Sequence, residues 1–233
     1  MPRQNYMDGQ PEINSLLRGI LMDELVAVAG FLGLSPKTLF STRSLFDRYL
    51  SVRTVSSNEL KLVGVSCMVI ASKLENMHLR LASRLEHLSG GAYMKNDIFN
   101  MERTILIALT FKIASTTEVD FLDRLVFANG SDGQQRSLTC YLLELAFMDI
   151  GFISHSPPHL VSAAILLTNQ LLGREEVWPS NMVHHSQHKE DDLCGCAGDM
   201  RDVLEAAPRS AFQVVRRKYQ APNEHAVADL EFV

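Results

Sequence analysis

Two charged residues stand among apolar neighbours. Lys73 closes the most apolar stretch of the chain, in Ala71-Ser-Lys-Leu-Glu, and Glu102 sits within Phe99-Asn-Met-Glu-Arg-Thr-Ile-Leu. A charge beside a core is costly to desolvate unless it is paired. One reading is that Lys73 offsets the negative end of its own helix dipole, worth about 0.3–1 kcal/mol. The other is that Lys73 and Glu102 form a polar pair on an apolar rim, offered to the backbone groups of another chain.

The remaining chemistry-bearing residues suggest no catalysis. His184, His185, His188, Cys194 and Cys196 gather in a polar stretch. A structural zinc site needs four ligands at regular spacing, and Cys-Gly-Cys with scattered histidines fits no such pattern. No metal site, thiol redox role or other cofactor is expected there. Glycine-rich phosphate loops, Gly-x-Ser-x-Gly and His-Glu-x-x-His are all missing, so nothing recommends a helical hydrolase.

Composition narrows the classes further. The 233 residues allow one large domain or two smaller ones, and 46% hydrophobic content can fill real cores. The formal charge of −5 and the want of any basic run beyond Arg216-Arg217-Lys218 speak against a nucleic-acid partner. That triplet reads as a solvated helix end. Residues 1–12 lack a signal-peptide core, and the longest apolar run, 62–71, falls far short of a membrane span of ~20 residues. Cys67 and Cys140 read as small buried hydrophobes, and no disulfide framework is expected. A soluble, intracellular protein without a membrane partner is the expectation.

The elements that must position Lys73 and Glu102 are helices throughout. Apolar spacing predicts helices over 12–32, 36–52, 57–76, 79–88 and 94–110, then a connector at 111–116. Further helices are predicted over 117–128, 133–150, 157–172, 199–206 and 208–219, with a polar loop at 173–199. Ser35-Pro36 and Ser156-Pro157-Pro158 mark helix starts, and Ser56-x-x-Glu59 and Ser115-x-x-Glu118 fit the capping box.

The two halves repeat weakly. Val63-Gly-Val-Ser-Cys-Met-Val-Ile-Ala lies 98 positions before Val161-Ser-Ala-Ala-Ile-Leu-Leu-Thr-Asn. A helix with small residues on one face and apolar ones elsewhere must be surrounded by neighbours that approach closely. The expected architecture is all-α: two tandem five-helix bundles, each around its third helix. At the same offset Lys73 corresponds to Leu171 and Ala71 to Asn169. The second half thus keeps the core pattern without the lysine, which suggests that the first bundle alone meets the partner.

Several motifs in order carry a family resemblance. Tyr6-Met-Asp-Gly-Gln-Pro-Glu-Ile-Asn-Ser-Leu-Leu-Arg-Gly-Ile-Leu-Met-Asp resembles the entry to an A/B-type mitotic cyclin box. So do Leu45-Phe-Asp-Arg-Tyr-Leu-Ser, Leu62-Val-Gly-Val-Ser-Cys-Met-Val-Ile-Ala-Ser-Lys-Leu-Glu, and Met101-Glu102 through Ala108-Leu-Thr-Phe111. Tyr141-Leu-Leu-Glu-Leu and Ser156-Pro-Pro match in the second half; the likeness is strong over 6–172 and fades afterwards. The resemblance implies an N-terminal cyclin box over 1–110, a connector over 111–116 and a C-terminal cyclin fold with a degenerate end over 117–233.

It also implies a function. The chain would be a non-catalytic subunit that binds and activates a cyclin-dependent protein kinase, in G2/M or S phase, in nucleus and cytoplasm. Lys73 and Glu102 would contact the kinase's regulatory helix, with Ile70, Leu74, Phe111 and Ile113 as an apolar cradle. A phenylalanine is usual where Leu74 stands. Arg18 and Asp47 match a buried ion pair between the first two helices. The family's docking patch for substrate or inhibitor peptides falls on Leu17, Arg18, Ile20, Leu21, Glu24 and Leu25. Glu24 replaces the usual tryptophan and Ala27 a residue often acidic or amide-bearing, so docking of Arg-x-Leu motifs is expected to be weak. The chain starts almost at the box, so the long N-terminal region with destruction signals is expected to be missing. Arg18-x-x-Leu21 matches the bare destruction pattern only by coincidence, within a packed helix. The alternatives are a transcription factor built from two cyclin-like repeats, disfavoured by charge, and a scaffold that binds a kinase without activating it.

Overall fold

The computed structural model describes residues 2–3, 5–75, 81–89 and 91–230, and all regular structure among them is helical. The chain divides into two compact units, Met1–Thr117 and Glu118–Val233. No helix among the described residues is long and apolar enough to cross a membrane.

In the first unit Asn14 caps α1 (Ser15–Leu32) by accepting from the Leu17 amide, and Gly33 ends it at a φ of 65°. That left-handed conformation costs glycine little. Ser35 accepts from the Thr38 amide at the start of α2 (Pro36–Leu50). The buried α3 (Leu60–Leu74) follows, then α4 (Leu81–Leu88) and α5 (Lys95–Ala108). The third helix packs against the other four, as a helix with few polar faces must. Gly64 is required where α1 meets it: a β-carbon there would lie 3.0 Å from Leu21 Cδ2.

The second unit is built alike, with α6 (Val119–Ala128), α7 (Gly133–Met148), a 3-10 turn (Ile150–Ser154) and α8 (Pro157–Leu171). The short α9 (Ser180–Ser186), α10 (Glu190–Ala206) and α11 (Val214–Tyr219) complete it. Here α8 holds the centre, packed against α6, α7, α9 and α10.

The polar loop expected over 173–199 is overturned by α9 and most of α10. Gly195, Gly198 and the paired cysteines weaken the helical signal. Yet Leu193, Cys196, Ala197, Met200 and Leu204 form one buried stripe, and Glu190, Asp191 and Asp192 fill the first turn, where the dipole favours anions. The helix predicted over 199–206 is the end of this longer one, and that over 208–219 shortens to α11 because a 3-10 turn at Ala207–Arg209 intervenes.

The two capping boxes take other forms. Ser56 donates to the Glu59 carboxylate at 2.7 Å, and Glu12 takes the Ser57 amide, so α3 starts only at Leu60. Ser115 bonds Ser44 of α2 at 2.9 Å, and α6 begins after Glu118. Residues 111–116 therefore do not run free: Arg48 of α2 also donates to the Lys112 carbonyl. Residue 76 of the third predicted helix and residues 79–80 of the fourth lie outside the described residues.

Candidate functional site

The ends of α3 and α5 meet at Lys73 and Glu102. The Lys73 ammonium donates to both Glu102 oxygens, at 2.6 and 2.7 Å. The lysine side chain remains 55% exposed, whereas that of Glu102 is 13% exposed. Phe99, one turn before Glu102 on α5, lies under the pair: Lys73 Nζ stands 5.5 Å and Lys95 Nζ 5.4 Å from its ring centre. Such a pair, open to water, adds only about 0–1 kcal/mol to stability. The fold therefore has little need of it.

Several apolar side chains at the end of α3, along α5 and in the turn after it are left uncovered. Leu74 and Phe99 are more than one third exposed, Ile107 about half and Phe111 67%. Ile113 is half-buried. Ile70 differs from these, being buried within the core beneath Leu74. The turn after α5 holds Phe111 outward: Thr110 and Phe111 adopt φ of 51° and 56°, and the Phe111 amide donates to the Leu106 carbonyl. Two successive non-glycine residues in this region cost about 1–3 kcal/mol each. Phe99 and Ile107 were not singled out in the sequence, although Phe99 lies three residues before Glu102 and so shares its helical face.

On α1 the expected docking residues divide between surface and core. Ile20 is 43% exposed and Leu17 half-buried, but Leu21 at 4% and Leu25 at 2% point into the bundle. Leu21 is the side chain that fills the space left by Gly64. A residue so placed offers little surface to a docked peptide. Glu24 is half-buried and pairs with Lys61 at 2.7 Å.

Beneath that face Arg18 makes two hydrogen bonds to Asp47, each of 2.9 Å, with both side chains almost fully buried. Tyr6 completes the arrangement, donating to Asp47 Oδ1 at 2.7 Å and accepting from Arg18 Nε at 3.1 Å. Burial, with Asp47 adding to it, raises the Tyr6 phenol far above its usual range and keeps it a donor.

In the second unit Cys194 and Cys196 point to different sides of α10, and the five histidines and cysteines of 184–196 do not form one ligand set. Residues two apart on a helix point about 200° apart. Cys196 accordingly lies in the core while Cys194 is exposed, its thiol directed to the Glu190 carbonyl at 3.3 Å. His184 and His185 are exposed on α9. The basic triplet forms the last turn of α11 with Arg217 and Lys218 exposed; Lys218 pairs with Glu144 at 2.5 Å and Arg216 with Asp229 at 3.0 Å.

Comparison with known proteins agrees with this doubled architecture. The model for the cyclin N-terminal domain matches residues 1–114, and that for the cyclin C-terminal domain matches residues 116–232. The likeness thus continues past residue 172, where the motifs of the second half fade. The G2/mitotic-specific cyclin-B of Marthasterias glacialis is 38% identical over 94% of this chain and 56% of its own length. The G2/mitotic-specific cyclin cdc13 of Schizosaccharomyces pombe is 35% identical over 88% of this chain and 42% of its own. The chain spans about half the length of these curated relatives. A viral cyclin from herpesvirus saimiri shares the fold, with a TM-score of 0.75 at 20% identity over 85% of this chain and 88% of that one. The chain belongs to the cyclin family, and its relatives include A- and B-type cyclins.

Proposed function

We propose that this chain is the regulatory subunit of a cyclin-dependent protein kinase and that its first unit carries the kinase-binding surface. The observation that carries this reading is the Lys73–Glu102 pair, exposed on the lysine side, with the exposed Phe99 ring against Lys73 and the exposed Leu74 next to it in the chain. A polar pair inside an apolar rim is suited to the end of a partner's helix: the charges meet free backbone groups while the rim excludes water. Ile113 extends the rim, and Ile70 supports it from below.

Activation follows from differential affinity. The surface gains contact free energy only when the kinase helix is turned inward, and so populates the active arrangement. That arrangement sets the kinase's own lysine–glutamate pair and frees its activation loop. Phosphoryl transfer belongs wholly to the partner, and this chain is not itself an enzyme. The relatives named as G2/mitotic-specific cyclins support a role in cell-cycle control; G2/M or S phase is the proposed stage, and nucleus and cytoplasm the proposed place. Imaging a tagged chain through a synchronised cycle checks stage and place.

The test is phosphorylation of a histone substrate by purified cyclin-dependent kinases with and without this chain. At least one kinase is expected to be stimulated strongly. Lys73→Ala with Glu102→Ala is expected to abolish the stimulation, and full activity in the double variant would contradict the proposed surface.

Substrate docking is proposed to be weak. The Glu24–Lys61 ion pair occupies the place of an aromatic platform, and of the apolar docking residues named above Leu17 and Ile20 alone remain accessible. Calorimetry with an Arg-x-Leu peptide is expected to show no tight binding. Tight binding that Ile20→Ala removes would overturn this.

A further inference from the structure

We propose that His155, His159 and Cys196 form a site for a borderline-soft divalent cation of the zinc type in the second unit. His155 follows the 3-10 turn Ile150–Ser154, and His159 lies in the first turn of α8. Cys196 comes from the buried stripe of α10, which packs on α8. One ligand atom from each of the three lies within 4.8 Å of the other two. An ion among atoms so spaced need sit no more than about 2.8 Å from each, against about 2.0–2.3 Å for zinc bonds to nitrogen and sulfur. Small side-chain rotations close that gap.

The surroundings favour such an ion. The rings of His155 and His159 lie parallel, with centres 4.9 Å apart, and His188 stands edge-on to His159 at 5.0 Å. Protonated imidazoles at these distances would repel one another, while neutral ones offer lone pairs that a dication can share. Asp192 and Asp199 of α10 are the acidic groups acting on His159 and Cys196. Two imidazoles with a thiolate select zinc-like ions over magnesium or calcium, which prefer oxygen. On binding, the Cys196 thiol loses its proton to solvent and the sulfur bonds the metal. A cleft lined in part by Ser156, Pro158, His184, His185 and His188 lies beside His159, which meets His188 edge-on, and provides an entry path. Three protein ligands leave a fourth position for water, and the ion would fasten the start of α8 to α10.

The experiment uses the full chain, stripped with a chelator and titrated with Zn²⁺ by calorimetry and with Co²⁺ by absorbance. The expected result is one equivalent bound, with a thiolate-to-cobalt charge-transfer band. Cys196→Ser removes the band. Because Cys196 is buried and its variant can misfold, His155→Ala at a half-buried position is the second probe, its fold checked by circular dichroism. It is expected to weaken Zn²⁺ by more than the about 10–100-fold that loss of an outer-shell partner costs. His184→Ala with His185→Ala is expected to leave binding unchanged. Failure to bind Zn²⁺, binding indifferent to His155→Ala, or binding lost with the His184 and His185 pair would each overturn the site.

Discussion

The ends of the two central helices show how one scaffold serves two purposes. In the first unit α3 ends in Lys73, which reaches Glu102 of α5 and stays exposed. At the offset of 98 the second unit has Leu171, and Glu102 gives way to the buried Met200. Two residues before Leu171, Asn169 is fully buried where the first unit has Ala71. Its amide and that of Asn129 bond each other at 2.9 and 3.0 Å, and Asn169 also donates to the Val177 carbonyl at 2.9 Å. Arg174 closes the group by donating to the Asn129 carbonyl at 2.8 Å. One helix end is finished by its own chain; the other presents charge beside uncovered apolar groups.

A second comparison shows a device shared by both units. Each buries a carboxylate near the end of its second helix: Asp47 on α2 and Glu144 on α7. Each carboxylate accepts from a tyrosine hydroxyl and a cation. Asp47 takes Tyr6 and Arg18 from the segments before α2, whereas Glu144 takes Tyr219 at 2.8 Å and Lys218 at 2.5 Å from α11. The flanking segments at either end of the chain are thus held by buried anions. The difference lies in the cation, since Arg18 is buried and Lys218 is 39% exposed at its side chain.

That difference predicts unequal costs. Asp47→Ala leaves the Arg18 charge buried and uncompensated, and is expected to destabilise by about 3–5 kcal/mol in urea unfolding. Glu144→Ala lets Lys218 return to water and strands chiefly the buried Tyr219 hydroxyl, so about 1–3 kcal/mol is expected. Equal losses would break the comparison. Asn169→Ala takes the Asn169 donor from the Asn129 Oδ1 and the Val177 carbonyl and is expected to cost a similar ~1–3 kcal/mol. Lys73→Leu, which imitates the second unit, is expected to change stability by no more than about 1 kcal/mol. A large loss there would make Lys73 a structural residue and remove the contrast between the helix ends.

Much of this was legible in the residues, and the exceptions have physical causes. The third helix of each unit announced itself by its mixture of small and large apolar residues, a pattern only a surrounded helix can use. Lys73 and Glu102 stood out because charge at such places needs a reason. By contrast α10 was hidden by Gly195 and Gly198, which local propensity counts against a helix, although packing against α8 offsets that cost. Leu21 falls in the docking patch by family position, yet it is buried in the bundle. Its direction depends on Gly64 of α3, a contact no local pattern contains. The pairing of the exposed Lys218 with Glu144 is likewise absent from local pattern, since Glu144 lies far away in the chain. The cluster of His155, His159 and Cys196 likewise depends on α8 and α10 packing together.

The affinity of a stimulated kinase for the Lys73→Ala, Glu102→Ala double variant tests the central claim most directly, with thermal unfolding followed in parallel. The expected result is an unchanged fold and a loss of at least about 2 kcal/mol in binding, roughly 30-fold, as for truncated charge pairs in desolvated interfaces. Wild-type affinity in a folded double variant would contradict the account.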